Sequence, residues 1–303
     1  MPEITGKSWI MVAALGLIWG GTFLFMEIAL RGITPFWLAA ARIAFATLLM
    51  LAFWAFRGFR LFAQPVGNID LIRLVMIGVL SSAVPYMLLS WGQQYVTSGF
   101  AGVSMAAVAL LVLPLAHFLV PGERLTLRRI AGFVIGFLGV VVLIGGQAFE
   151  TTGETLESFG RLACLGAASC YALSSVQTRL LPQVDPIGLN TVTLLIGGVI
   201  VFAAALSIEG APPEIDRNTL YVLGFLGLIP TAGASLLRVL VIRTAGPVFM
   251  TLVNYQVPVW SVVLGALILS EPLPPSLMSA LALILCGVGL SQYGALSRLF
   301  RRV

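Results

Sequence analysis

Along the chain, apolar runs of about twenty residues alternate with short breaks rich in charge or proline, and the pattern recurs ten times. A bilayer core about 30 Å thick takes about 20 helical residues to cross. The pattern predicts ten membrane-spanning helices, over 8–30, 34–56, 71–91, 98–120, 127–147, 158–181, 186–208, 219–241, 246–269 and 275–296. Strands are excluded as the main element, because membrane strands run to about ten residues with alternating polarity. The expected fold is an all-α integral membrane protein.

Composition agrees. Of 303 residues, 59% are hydrophobic and only 10% charged, which excludes a water-soluble globule, where about 25% are charged. Seventeen basic residues against twelve acidic ones leave a net +5. In a membrane protein such an excess reports orientation. Lys7, Arg57, Arg60, Arg73, Arg124, Arg128, Arg129, Arg179, Arg243, Arg298, Arg301 and Arg302 fall on one side of the spans, and Arg31, Arg161 and Arg217 on the other. Both termini are therefore expected in the cytoplasm of a multi-pass protein in a bacterial plasma (inner) membrane. The opposite loops carry Glu150, Glu154, Glu157, Glu209, Glu214 and Asp216, read as solvated acids. No basic tract is long enough to suggest nucleic acid. The first run is too long for a signal peptide and is expected to stay as a signal anchor. Cys164, Cys170 and Cys286 have no metal or redox spacing and are read as packing residues.

The two halves, 1–150 and 151–303, resemble each other. Glu123 is followed by Gly139 and Gly146, and Glu271 at the same intervals by Gly287 and Gly294; Pro114 and Pro258 precede the two acids. Ala101-Gly102 and Ala245-Gly246 stand equally far before those prolines. Five spans per half is an odd number, so equivalent helices cross in opposite directions, as in the inverted repeats of transporters with a central cavity.

These residues resemble the drug/metabolite transporter superfamily, specifically its ten-helix EamA-type members. The resemblance covers nearly the whole chain and rests on Trp19-Gly20-Gly21-Thr22-Phe23, Ala39-Ala40-Ala41-Arg42, and the Pro114 with Glu123 and Pro258 with Glu271 signatures. Pro114 to Glu123 is one turn shorter than the family's usual stretch. Within the superfamily the chain is most similar to YddG-type exporters of aromatic and other neutral amino acids. The resemblance implies that spans one to four and six to nine enclose a cavity while five and ten pack outside. Gly132-x-x-x-Gly136 in span five independently permits close helix approach.

Polar and aromatic residues near mid-span are the candidate substrate ligands. In span nine Thr251, Asn254, Tyr255, Pro258 and Ser261 recur on one helical face, flanked by Gln256 and Trp260. Mid-membrane amides either line a wet cavity or bond across helices, and both readings stay open. Span three carries Gly78, Ser81, Ser82 and Pro85 on one face, followed by Tyr86. Small residues such as Ser82 commonly serve packing, whereas a phenol beside a proline break suits stacking on a ligand. Trp19 sits at the centre of span one, where it either lines the cavity or packs on a neighbour. In span six, Tyr171 and Ser174 are placed to reach the cavity.

Four further residues are candidate gate or structural groups. Arg42 lies about 12 Å into span two at 1.5 Å per residue, and Glu27 is near the outer end of span one; as an antiparallel pair they are expected to meet in a gate or structural salt bridge. Arg238 is expected to snorkel to the cytoplasmic surface in preference to binding a substrate carboxylate. His117 is read as a structural imidazole in preference to a proton relay.

Neither an arginine cluster nor a midplane carboxylate is expected at the site, which argues for a neutral or zwitterionic solute with an apolar body. The reading is a secondary transporter exporting small metabolites, chiefly aromatic and other neutral amino acids, by alternating access. No enzyme activity, cofactor or metal is expected, and the partners are a small-molecule substrate and lipid. Export of drugs or other metabolites in the same fold is the nearest alternative. A membrane-embedded lipid-modifying enzyme would need converging acid, base, nucleophile or metal groups, and a passive pore is the third reading.

Overall fold

The computed structural model describes residues 4–120, 122, 125–145 and 156–300. Its helices are α1 (Gly6–Leu30), α2 (Pro35–Phe56), α3 (Asn68–Gly92), α4 (Ser98–Leu119), α5 (Leu127–Gly145), α6 (Glu157–Arg179), α7 (Pro186–Ile208), α8 (Arg217–Ala245), α9 (Val253–Leu269) and α10 (Pro275–Phe300). Among the described residues nine are long and apolar enough to cross a bilayer, and α9, with 17 residues, is the short tenth. Glu123 and Gly146 of the repeat signature, and Arg124, Glu150, Glu154, Arg301 and Arg302 of the charge pattern, lie outside the described residues.

The helices begin where short polar residues or proline satisfy or remove orphan N–H groups. Thr97 Oγ1 accepts from Phe100 N, Asp185 Oδ1 from Ile187 N and Gly188 N, and Asp216 Oδ1 from Thr219 N. Pro35 and Pro186 occupy the first turns of α2 and α7. The hydrogen bonds to Thr219 hold the exposed Asp216 carboxyl below its ordinary pKa.

Packing obeys a two-fold relation between the halves. α1 packs on α8 and α9, and its counterpart α6 packs on α3 and α4; α2 meets α7, α4 meets α9, and α5 meets α10. This is the all-α fold of two inverted five-helix repeats. The α5–α10 contact brings backbones together: a Cβ on Gly287 would stand 2.4 Å from Gly136 N and 2.5 Å from Gly132 O, so only glycine permits this crossing.

Ten crossings return the chain to the side on which it began. We call the side holding the start of α1 and the end of α10 the terminal face. At the other, opposite face, two carboxylates each clamp a helix N-terminus of the other repeat. Glu271, beyond α9, accepts from Ser98 N at 2.8 Å and Gly99 N at 3.0 Å at the start of α4. Glu209, beyond α7, accepts from Phe36 N at 2.9 Å, Trp37 N at 3.1 Å and Thr34 Oγ1 at 2.6 Å at the start of α2. Negative charge at a helix N-terminus is stabilising, and these clamps tie the repeats together at the opposite face.

Toward the terminal face the same helices part. α4 packs on α9 through its outer segment Ser98–Met105, whereas its remaining segment Ala107–Leu119 packs on α6. A Cβ on Gly102 would meet Ser261 Cβ at 2.2 Å, which fixes the closest approach of α4 and α9. Ser261 is 1% exposed. Asn254, seven residues earlier and so on the same face, is exposed.

Both third helices contain a π-helical turn, at Val79–Ala83 in α3 and Gly227–Gly233 in α8. Val84 N–H donates to Val79 O and Ala234 N–H to Ile229 O, each five residues back. In α3 the disturbance precedes Pro85, and in α8 it contains Pro230. Proline lacks a donor and clashes with the preceding turn, and π-turns often mark functional sites.

Span nine differs from expectation at its start. A single turn, Pro247–Met250, is separated from α9 by Thr251 and Leu252, so Thr251 does not continue the helical face of Asn254. The turn begins at Gly246, whose φ of +91° is a conformation that favours glycine. Ala245-Gly246 thus ends α8, whereas Ala101-Gly102 lies within α4. The matched dipeptides serve different purposes.

Candidate functional site

Five helices converge on the guanidinium of Arg42, which is 7% exposed. α2 delivers it from seven residues inside the opposite-face end. Its Nε donates to Thr231 Oγ1 in the π-turn of α8 at 2.8 Å, and Nη1 to Met26 Sδ of α1 at 3.3 Å. Its Cζ lies 4.5 Å from the centroid of the Tyr86 ring, just past the π-turn of α3. Tyr171 of α6 is within electrostatic reach of both Arg42 and Tyr86. Thr231 Oγ1 in turn donates to Leu226 O at 2.8 Å, which orients its lone pairs toward Arg42.

Arg42 is therefore not paired with Glu27. Adjacent residues on α1 point about 100° apart, so Met26 facing α2 turns Glu27 toward α9. Glu27 instead lines an open cleft of about 240 Å³ at the opposite face, with Arg31, Gln93 and Glu271. Gln93 braces this cleft, its Nε2 donating to Phe23 O at 3.0 Å.

Trp19 reaches the same centre from α1. Its indole Nε1 donates to Pro230 O at 3.0 Å. An ordinary helix would give that carbonyl the N–H of Ala234, which the π-turn diverts to Ile229. Trp19 and Tyr86 are half-buried; each offers an aromatic surface beside a polar group, an arrangement suited to small-molecule recognition.

Arg238 stands seven residues beyond Thr231 on nearly the same face of α8. Its side chain is exposed. Among the described residues no acid lies within ion-pair distance of Arg238 or Arg42. Of the two, Arg42 is the buried one, a positive charge within the bundle.

The remaining candidates divide. Tyr255 is half-buried with its hydroxyl enclosed and, among the described residues, without a partner. Gln256 packs on α1, where a Cβ on Gly16 would lie 2.6 Å from its Cβ. Ser82 is 4% exposed and faces α7, its Cβ 2.5 Å from where a Cβ on Gly197 would stand. Ser174 is also buried. His117 lies near the terminal-face end of α4 with its ring 5.0 Å from that of Phe118. Thr231, Pro230 and Met26 were not anticipated; a mid-span proline with a neighbouring hydroxyl was the available signal.

The EamA-like transporter family profile matches this chain twice, over residues 6–145 and 158–292. The chain belongs to the EamA-like transporter family. The double match puts one family unit on each inverted half. An uncharacterized transporter of Archaeoglobus fulgidus is 25% identical over 286 residues, covering 93% of this chain and 97% of its own. The uncharacterized transporter YoaV of Bacillus subtilis is 23% identical, covering 95% and 97%. The uncharacterized inner membrane transporter YedA of Escherichia coli is 27% identical, covering 93% and 89%. A solved crystal structure covers 95% of this chain and 98% of its own with a TM-score of 0.66 and 20% identity, showing a common fold. This EamA-like chain is thus a multi-pass membrane transporter of small molecules.

Proposed function

We propose that the protein exports small metabolites with an apolar body, aromatic and other neutral amino acids foremost, by alternating access. The observation that carries this reading is the convergence of α1, α2, α3, α6 and α8 on Arg42, beside two π-turns and three aromatic side chains. The site lies where inverted repeats meet, the position at which such carriers bind their solute. On this reading solute enters from the terminal face, where α4 and α9 part, and the Glu209 and Glu271 clamps hold the opposite face shut.

The excess of basic residues on the terminal face supports placing that face in the cytoplasm, and the name of YedA supports a bacterial inner membrane. On this reading the structure is the state that loads from the cytoplasm. Export is tested by expressing the protein in cells challenged with a toxic phenylalanine analogue such as p-fluorophenylalanine. Raised tolerance with a lowered cell content of the analogue is expected; unchanged or worsened sensitivity contradicts export.

A further inference from the structure

Arg42 is a buried cation whose partners do not neutralise it. A guanidinium carries five N–H donors. Among the described residues two of them have an acceptor, one a threonine hydroxyl and the other a thioether, and no carboxylate is in ion-pair range. The Tyr86 ring supplies attraction on one face of the guanidinium, which leaves the edge bearing the unused donors to be satisfied. Burying a charge is costly unless it is paired, so an anion set against these donors would be stabilised there.

We propose that Arg42, with Tyr86 and Tyr171, forms the subsite for a carboxylate on the transported solute. The guanidinium fork matches a carboxylate in shape and binds it through parallel N–H donors. Tyr86 and Tyr171 are half-buried, and among the described residues neither hydroxyl makes a hydrogen bond; each has a donor to offer a solute oxygen. The exposed Arg238, two turns nearer the terminal face on α8 and with no acid in ion-pair range among the described residues, adds positive potential on that side. Among the described residues neither arginine has an acid in ion-pair range that would hold an ammonium group. The carboxylate is therefore the required feature of the solute, and the amino group is dispensable. This inference rests on the reading of the central site as the transport site and narrows its substrate class to small carboxylates with an apolar body.

The test compares phenylalanine, 3-phenylpropanoate, which lacks the amino group, and phenethylamine, which lacks the carboxylate. In proteoliposomes accumulating labelled phenylalanine, 3-phenylpropanoate should compete comparably with phenylalanine. Phenethylamine should compete roughly tenfold to a hundredfold more weakly, the loss of a charge-assisted hydrogen-bonding group. Binding is read independently by the thermal unfolding shift of the detergent-solubilised protein. 3-Phenylpropanoate should stabilise the wild type, phenethylamine should not, Arg42→Lys should keep part of the shift and Arg42→Gln should lose it. Should Arg42→Gln fail to fold, the Tyr86→Phe, Tyr171→Phe double variant should weaken acid binding severalfold without favouring the amine.

Equal competition by phenethylamine, full acid binding in Arg42→Gln, or no stabilisation of the wild type by the acid overturns the proposal. If labelled phenylalanine is not accumulated while the acid still stabilises the wild type and not Arg42→Gln, amino-acid transport fails and the carboxylate subsite stands.

Discussion

The indole N–H of Trp19 in α1 donates to the carbonyl of Pro230 in α8 across 3.0 Å. This bond exists because the π-turn takes away the backbone N–H that would otherwise occupy the carbonyl. It ties the first helix of one repeat to the broken helix of the other, beside the Arg42 cluster. Trp19→Phe keeps the ring and removes the donor. We expect a loss of about 1 kcal/mol in stability, the usual net worth of such a bond, together with a severalfold rise in KM. Thermal unfolding and counterflow kinetics check both.

Gly102 fixes the approach of α4 to α9. A methyl there would overlap Ser261 Cβ, an atom bonded directly to the backbone rather than a mobile chain end. Gly102→Ala should destabilise the protein by about 1–3 kcal/mol, the usual range for overpacking. A Cβ on Gly224 meets nothing within 4 Å, so Gly224→Ala should be neutral or slightly stabilising. Comparing the two melting temperatures separates local overpacking from a general intolerance of Gly-to-Ala changes.

Removal of the Glu271 carboxylate leaves Ser98 N and Gly99 N without their acceptor. Glu271→Ala should cost about 1–2 kcal/mol, as for a lost helix cap, and Glu271→Gln should cost less because one carbonyl oxygen remains. The loss falls on the closed opposite face, so the Ala variant should also shift the population toward opening there. Increased labelling of a cysteine at position 97 by an impermeant thiol reagent added from that side reports the shift.

Access to the interior should be one-sided at rest. In a background lacking Cys164, Cys170 and Cys286, Asn254→Cys should be labelled rapidly from the terminal face. Ser261→Cys, two turns deeper on the same helix face and 1% exposed in the wild type, should be protected. Equal labelling of the two from the terminal face contradicts the parting of α4 and α9.

The ten spans were legible because apolar length and helix-starting residues are local properties. Pro35, Asp185 with Pro186, and Asp216 mark their helix starts within a few residues of the sequence reading. The inverted repeat was legible from the odd number of spans per half, although the Ala-Gly pairs proved to lie at unlike places. The site was harder to read. Trp19, Tyr86 and Tyr171 stand at the centre as aromatic residues in mid-span suggested, but Ser82 faces α7. The partner of Arg42 could not be read from the chain: Thr231 is 189 residues away and comes into reach through a π-turn, which shifts the phase of the residues after it. The exposed Arg238, seven residues before the terminal-face end of α8, keeps a position from which its side chain can snorkel.

Counterflow tests the central claim most directly. Purified protein in proteoliposomes preloaded with unlabelled phenylalanine, tryptophan or threonine is exposed to a trace of the labelled amino acid outside. The account predicts transient, saturable accumulation that excess external cold substrate abolishes. Absence of accumulation with all three, in vesicles whose protein is folded by its unfolding transition, would contradict a carrier for neutral amino acids.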